Sequence, residues 1–226
     1  MGAEHPLTAK ERDSRGLGNA SEGLGARLRA ARERSGMTLR GLARKVDVSP
    51  SLVSQIENGH VMPSVGTLYA IANELGLLVD DLFRDAERAP KSGDAGEPAR
   101  PAPGPVQRGD TRKAIRLAAG VCWERLTAAP DDEVEFLHVV YDVGGESCAE
   151  DSLIRHGGKE YAYIISGHLG VKIGFEDYEL GPGDSISFDA QTPHRLWTIG
   201  DEAAVAIWVV LNRHSDSRAE TRFSSS

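Results

Sequence analysis

Apolar positions along the chain follow two different periods. In the first third, Leu24, Leu28 and Ala31 fall at i, i+4 and i+7 with arginines between them, the spacing of one buried helix face. This predicts a first helix over 21–35, with Ser21 as its cap and Ser35-Gly36 as its stop. Thr38 caps a short second helix over 39–45 whose Leu39, Leu42 and Ala43 face inward, and Asp47-Val48 makes the following turn. Ser49-Pro50 opens a third helix, a capping hydroxyl followed by proline at the first helical position. It carries Val53 and Ile56 inward and stops at Asn58-Gly59. Ser64 starts a fourth helix that Gly76 ends, and Val79 to Phe83 form a short fifth piece. From Lys113 onward the pattern changes to short alternating or apolar runs separated by Gly, Pro and Asp. Strands are predicted at 134–141, 160–165, 169–175, 185–188, 194–198 and 203–211. Many short, evenly spaced strands indicate a sandwich or barrel of the jelly-roll kind.

The two halves meet at 85–110, where Pro90, Pro98, Pro101, Pro103 and Pro105 deny helix and sheet their hydrogen bonds. The expected organisation is a disordered tail over 1–20, a helical domain over 21–84, a Pro/Gly-rich linker over 85–110, a β domain over 111–213 and a tail over 214–226. The fold class is therefore multidomain α + β, and 226 residues suffice for two small domains.

Charge sharpens the division. The net charge is −8, yet the helical part is basic: Arg27, Arg29, Arg32, Arg34, Arg40, Arg44 and Lys45 stand against Glu33, Asp47 and Glu57. Acids dominate later, in Asp131-Asp132-Glu133 and Glu150-Asp151. Phosphate affinity follows local charge at the contact surface, not the total. No run of about eighteen apolar residues exists to span a membrane, and the first residues lack the apolar stretch of a secretory signal. Cys122 and Cys148 are too few for a disulfide framework and are expected as free thiols, so the expected location is the cytoplasm.

Five helices with a tight turn between the second and third place one helix for the DNA major groove. Over about 24–84 the chain resembles the XRE, or phage-repressor-like, helix-turn-helix family. The residues that carry the resemblance are Leu39-Arg40-Gly41-Leu42-Ala43, Val48-Ser49, Val53-Ser54-Gln55-Ile56-Glu57-Asn58-Gly59, Pro63 and Leu68. With Val53 and Ile56 turned inward, Ser51, Ser54 and Gln55 lie on the outer face, where Gln can pair bidentately with adenine. Ser49 and Pro50, at the start of the helix, belong to the same candidate face, and Arg40 and Asn58 flank it and suit phosphates. The plain alternative is that these are solvated helix surface.

Over about 134–211 the chain resembles the cupin family, on His156-Gly157-Gly158-Lys159-Glu160, Ile165-Ser166-Gly167, Leu180-Gly181-Pro182-Gly183-Asp184, Phe188 and Pro193-His194. The resemblance implies a metal held by two neighbouring histidines, a glutamate and a later histidine. This chain keeps His156, Glu160 and His194 but has Ile154 where the first histidine would lie, and Thr198 where an asparagine often follows. Two imidazoles and a carboxylate suit zinc, iron or manganese with positions left open. The same residues would otherwise line a metal-free effector pocket or bond one another. His138 reads as a satisfied core or pocket-edge histidine, Trp123, Trp197 and Trp208 as core or pocket wall, and Tyr161 and Tyr163 as pointing away from Glu160.

The combination implies a non-enzymatic, sequence-specific DNA-binding regulator, a repressor or an activator. It would bind double-stranded DNA as a homodimer on paired half-sites, and its cupin domain would sense a small-molecule effector or a metal. The alternative is a mononuclear non-haem iron oxidative enzyme resembling hydroxypropylphosphonate epoxidase. On either reading the effector site is expected to lie wholly in the second domain, away from the DNA-binding face.

Overall fold

The computed structural model describes residues 23–83 and 104–211; both expected tails, most of the expected linker and the Ser21 cap lie outside them. Five helices come first: α1 (Leu24–Arg34), α2 (Leu39–Lys45), α3 (Pro50–Glu57), α4 (Val65–Leu75) and α5 (Val79–Leu82). Three of the expected caps form. Thr38 accepts from the Gly41 N–H at 3.0 Å, Ser49 from Leu52 at 3.1 Å and Ser64 from Thr67 at 3.1 Å, each meeting a backbone donor that the first turn leaves unpaired. Asp47 turns the chain between α2 and α3 at φ 52°, a left-handed conformation that Asp tolerates better than most residues. Leu28, Leu42, Val53, Ile56, Leu68 and Leu82 are buried between the helices.

A 3-10 turn (Gly109–Thr111) leads into nine strands: β1 (Ala114–Leu117), β2 (Val121–Arg125), β3 (Val134–Tyr141), β4 (Lys159–Ser166), β5 (His168–Ile173), β6 (Glu176–Leu180), β7 (Ser185–Asp189), β8 (His194–Ile199) and β9 (Ala204–Leu211). Among the described residues they form two antiparallel sheets, ordered β1-β2-β3-β9-β4-β7 and β6-β5-β8. This is the expected jelly-roll class, built as facing sheets and not as a closed ring of hydrogen bonds. Strands β1, β2 and β6 were not among those the sequence predicts. The whole of β2 is buried, so it shows no two-residue alternation, whereas β6 is exposed along most of its length. On β4 the alternation is as expected: Glu160, Ala162 and Ile164 are buried while Tyr161, Tyr163 and Ile165 are exposed.

The helical head is seated on the β domain. The Ala118 N–H donates to the Pro63 carbonyl at 2.9 Å and the Gly66 N–H to the Ser147 carbonyl at 3.1 Å. The Asp131 N–H donates to the Asp80 carboxylate at 2.6 Å. A methyl placed on Gly66 would come within 2.5 Å of Ile154 Cγ2, so only glycine lets α4 approach this closely. One apolar core runs through both parts. No helix among the described residues is long and apolar enough to cross a membrane.

Candidate DNA-binding face and buried donor site

Helix α3 presents the face its sequence predicts. Ser51 and Gln55 are exposed, as are Ser49 and Pro50 at its start and Arg40 on α2, while Ser54 is half-buried. The exposed Asn58 amide donates to the Ser54 carbonyl at 2.8 Å and so closes the end of α3. One residue differs from its expected place. Arg32, counted with the surface cations, is instead buried: its Nε and Nη2 donate to the two Glu57 carboxylate oxygens at 2.6 and 2.9 Å. That pair ties α3 to α1.

Inside the β domain the expected set converges. His156, Glu160 and His194 are 4%, 3% and 0% exposed, and their ligand atoms all lie within 4.8 Å of one another. Glu160 comes from the inward face of β4 and His194 from the start of β8. His156 lies on the segment before β4, held by its N–H to the Ala190 carbonyl at 3.0 Å.

Each imidazole turns Nδ1 to a backbone carbonyl, His156 to Gly157 at 3.0 Å and His194 to Thr192 at 2.9 Å. A carbonyl only accepts, so each Nδ1 carries the proton and a neutral ring leaves Nε2 as a bare lone pair. Both Nε2 atoms face Glu160 Oε1, at 2.7 and 3.4 Å, and neither has a hydrogen-bond partner beyond that carboxylate. Trp208 Nε1 donates to the other carboxylate oxygen at 2.8 Å, orienting Oε1 toward the imidazoles. Two lone pairs and a carboxylate crowded together require positive charge between them. A proton or a divalent ion would supply it, and for an ion the Nδ1–carbonyl and Trp208 contacts would be the outer support that metal ligands commonly have.

The acid–base balance agrees. Burial works against ionising Glu160, but the flanking His156 and His194 overcome it and hold its pKa down at about 2. Burial likewise lowers His194, yet its neighbour Glu160 outweighs this and the pKa ends raised. The site therefore prefers an anionic carboxylate beside a cation, whether a proton or a metal. With His156, Glu160 and His194 as ligands, a zinc, iron or manganese ion would act as a Lewis acid with coordination positions left open. Zinc or manganese titrated into the metal-stripped full-length chain is expected to bind at about one ion per chain. His194→Ala is expected to weaken that binding more than about 100-fold, beyond the usual loss for a supporting residue. Calorimetry with elemental analysis checks this, and undiminished binding by the variant would make the cluster structural.

The cavity beside the set is lined by Trp123, Leu137, Val139, Tyr141, Ile154, Leu196 and Trp208, and also by Val65 and Tyr69 of α4. The head thus forms one wall, which corrects the expectation of a site wholly in the second domain. Tyr69 is 5% exposed; its ring stacks on His156 with centroids 4.1 Å apart, and its hydroxyl donates to Glu135 at 3.2 Å. The space left beside the set is about 20 Å³, where one water needs about 10–15 Å³. Sequence reasoning missed Tyr69, and it treated Trp208 as wall without seeing its bond to Glu160. His138 is buried with Nδ1 3.4 Å from Glu124, as expected of a satisfied histidine.

Comparison with known proteins follows the same division. A helix-turn-helix family matches residues 28–82 and the cupin domain family matches residues 137–210. The HTH-type transcriptional regulator PuuR of Escherichia coli K12 is 23% identical over 177 residues, 77% of this chain and 88% of PuuR. The crystal structure of an HTH_3 family transcriptional regulator from Vibrio cholerae shares the fold, with a TM-score of 0.59 and 20% identity over 85% of this chain and 96% of that one. Hydroxypropylphosphonic acid epoxidase from S. wedmorenis aligns at a TM-score of 0.40 and 22% identity over 84% of this chain and 98% of that one, too distant to bear on function. Matched at both ends in the same order, the chain joins a helix-turn-helix domain to a C-terminal cupin domain, the make-up of a DNA-binding regulator.

Proposed function

We propose that this regulator acts in the cytoplasm as a homodimeric repressor, reading paired operator half-sites through α3, and that His156, Glu160 and His194 form the site where its cupin domain senses a divalent metal or a small molecule. The observation that carries the reading is the pair of buried imidazole nitrogens aimed at one oxygen of Glu160 with no other hydrogen-bond partner. Nothing in packing alone calls for such a cluster, because unpaired buried polar atoms are costly. The exposed Ser51 and Gln55 beside Arg40 support the DNA contact. Phe136, Tyr161, Tyr163 and Ile165 are exposed together on the outer face of β3 and β4, and a second copy is the occupant that a two-fold operator implies.

The test is titration of DNA from upstream of the chain's own gene at several salt concentrations. Gln55→Ala is expected to cost about 1–3 kcal/mol on the operator and almost nothing on random DNA. Arg40→Ala should weaken both alike and lower the salt slope by about one. Two chains per operator are expected. Equal losses on operator and random DNA for Gln55→Ala would remove the base contact. Turnover of a small organic acid or phosphonate with iron and oxygen would replace the sensing role by catalysis.

A further inference from the structure

We propose that the Tyr69 ring of the DNA-binding head occupies the ring-binding part of the cupin cavity, so that an effector with a flat ring and one hydrogen-bond donor enters by displacing Tyr69, and the head with it. The use of this exchange for sensing rests on the reading above; its geometry does not.

Tyr69 makes the contacts a bound small molecule would make. Its ring stacks on His156 at 4.1 Å and 21°, lies 5.4 Å from the Trp123 ring, and its hydroxyl donates to the buried carboxylate of Glu135. A planar wall, a second ring and one acceptor at the far end describe a pocket for a phenol-like ligand. With Tyr69 in place the remaining space of about 20 Å³ holds about one water. A larger ligand needs the volume that the side chain fills.

Vacating that volume involves the whole head. Val65 and Tyr69 line the cavity from successive turns of α4, so opening it means moving the helix. The start of α4 is pinned by the Gly66 N–H to Ser147 and by contact with Ile154. Leu68 and Ile71 of the same helix are buried and α4 packs against α1 and α2, so α4 moves with the head. Ligand in the cavity and head on the β domain therefore exclude one another, and each weakens the other by the same factor.

Phenol is the probe, since it is the Tyr69 ring and hydroxyl without the chain. Docking is read by amide hydrogen exchange at Gly66 and Ala118, whose N–H groups bridge the two parts. In the full-length chain, Tyr69→Ala is expected to speed exchange at both amides by about tenfold or more. It should also bind phenol about tenfold or more tightly than the wild type in calorimetry. Tyr69→Phe, which keeps the ring and loses only the Glu135 bond, is expected to bind phenol nearly as weakly as the wild type. Saturating phenol should speed the same two amides in the wild type, a readout that needs no variant to fold. Phenol binding equal in all three proteins, or phenol bound to the wild type with both amides unchanged, would overturn the proposal. Failure to bind an operator would remove the sensing role and leave these exchange results standing.

Discussion

Glu57→Ala is expected to destabilise the head by up to about 3–5 kcal/mol, because it leaves the buried Arg32 guanidinium with only the exposed Glu33, 3.8 Å away, as counter-charge. Arg32 and Glu57 are 9% and 7% exposed, and their contact is bidentate at 2.6 and 2.9 Å. A third bond, from Arg32 Nη1 to the Met37 carbonyl at 2.9 Å, keeps the cation in place after its partner is gone. The hydrogen-bonded Glu57 raises the Arg32 pKa above its ordinary value, and a guanidinium does not escape by losing its proton. Denaturant unfolding of the full-length chain measures the loss. The double variant Arg32→Met, Glu57→Leu is expected to recover most of it, since an apolar pair of similar volume often replaces a buried ion pair without cost. A loss below about 1 kcal/mol for Glu57→Ala, the range of solvated pairs, would show that water reaches the pair. Glu57 ends α3 two residues after Gln55, so the variant should also loosen the DNA-reading face.

Asp80 gives a second large effect, dependent on pH. Burial pushes its carboxyl up to about 6, against the opposing pull of the Asp131 N–H and Arg125, with Glu135 and Asp131 adding to the rise. Unfolded, the group loses its proton near 3.8; folded, it keeps it to about 6. Between those values the folded chain holds a proton the unfolded chain has released, so stability falls as pH rises through the window and levels off above it. The full difference is about 3 kcal/mol as an upper value. Asp80→Asn carries no such proton. It is expected to exceed the wild type in stability at pH 7 and to lose that advantage as pH falls toward 4. Thermal unfolding of both proteins across this range checks it, and an advantage that grows toward acid would contradict the assignment.

Much of this was legible because local chemistry is written locally. Thr38, Ser49 and Ser64 announced helix starts and each makes its bond; the alternation of β4 told which residues face Glu160. What stayed hidden depends on partners far away in the chain. Tyr69 and Leu68 are both inward by helical spacing, and nothing local says that Leu68 meets the head's own core while Tyr69 meets another domain. Arg32 reads as one more surface cation until Glu57 is found beside it. The β1–β2 hairpin turns through Ala119 at φ 56° and Gly120 at φ 70°, and an alanine in that conformation gives no turn signal.

Ile154 joins two choices that look independent. It stands where the resemblance would put a third imidazole, and its Cγ2 is the atom that a methyl on Gly66 would strike at 2.5 Å. Surrendering that donor and seating α4 against the rim are thus a single steric decision, made at positions 88 residues apart in the chain. Among relatives with the same domain order, glycine at the first position should travel with a branched aliphatic residue at the second. Where histidine is kept there, the helices should rest elsewhere. Covariation of this one pair of columns would then sort the family into members whose sensor is stoppered by their own reader and members whose sensor stands open.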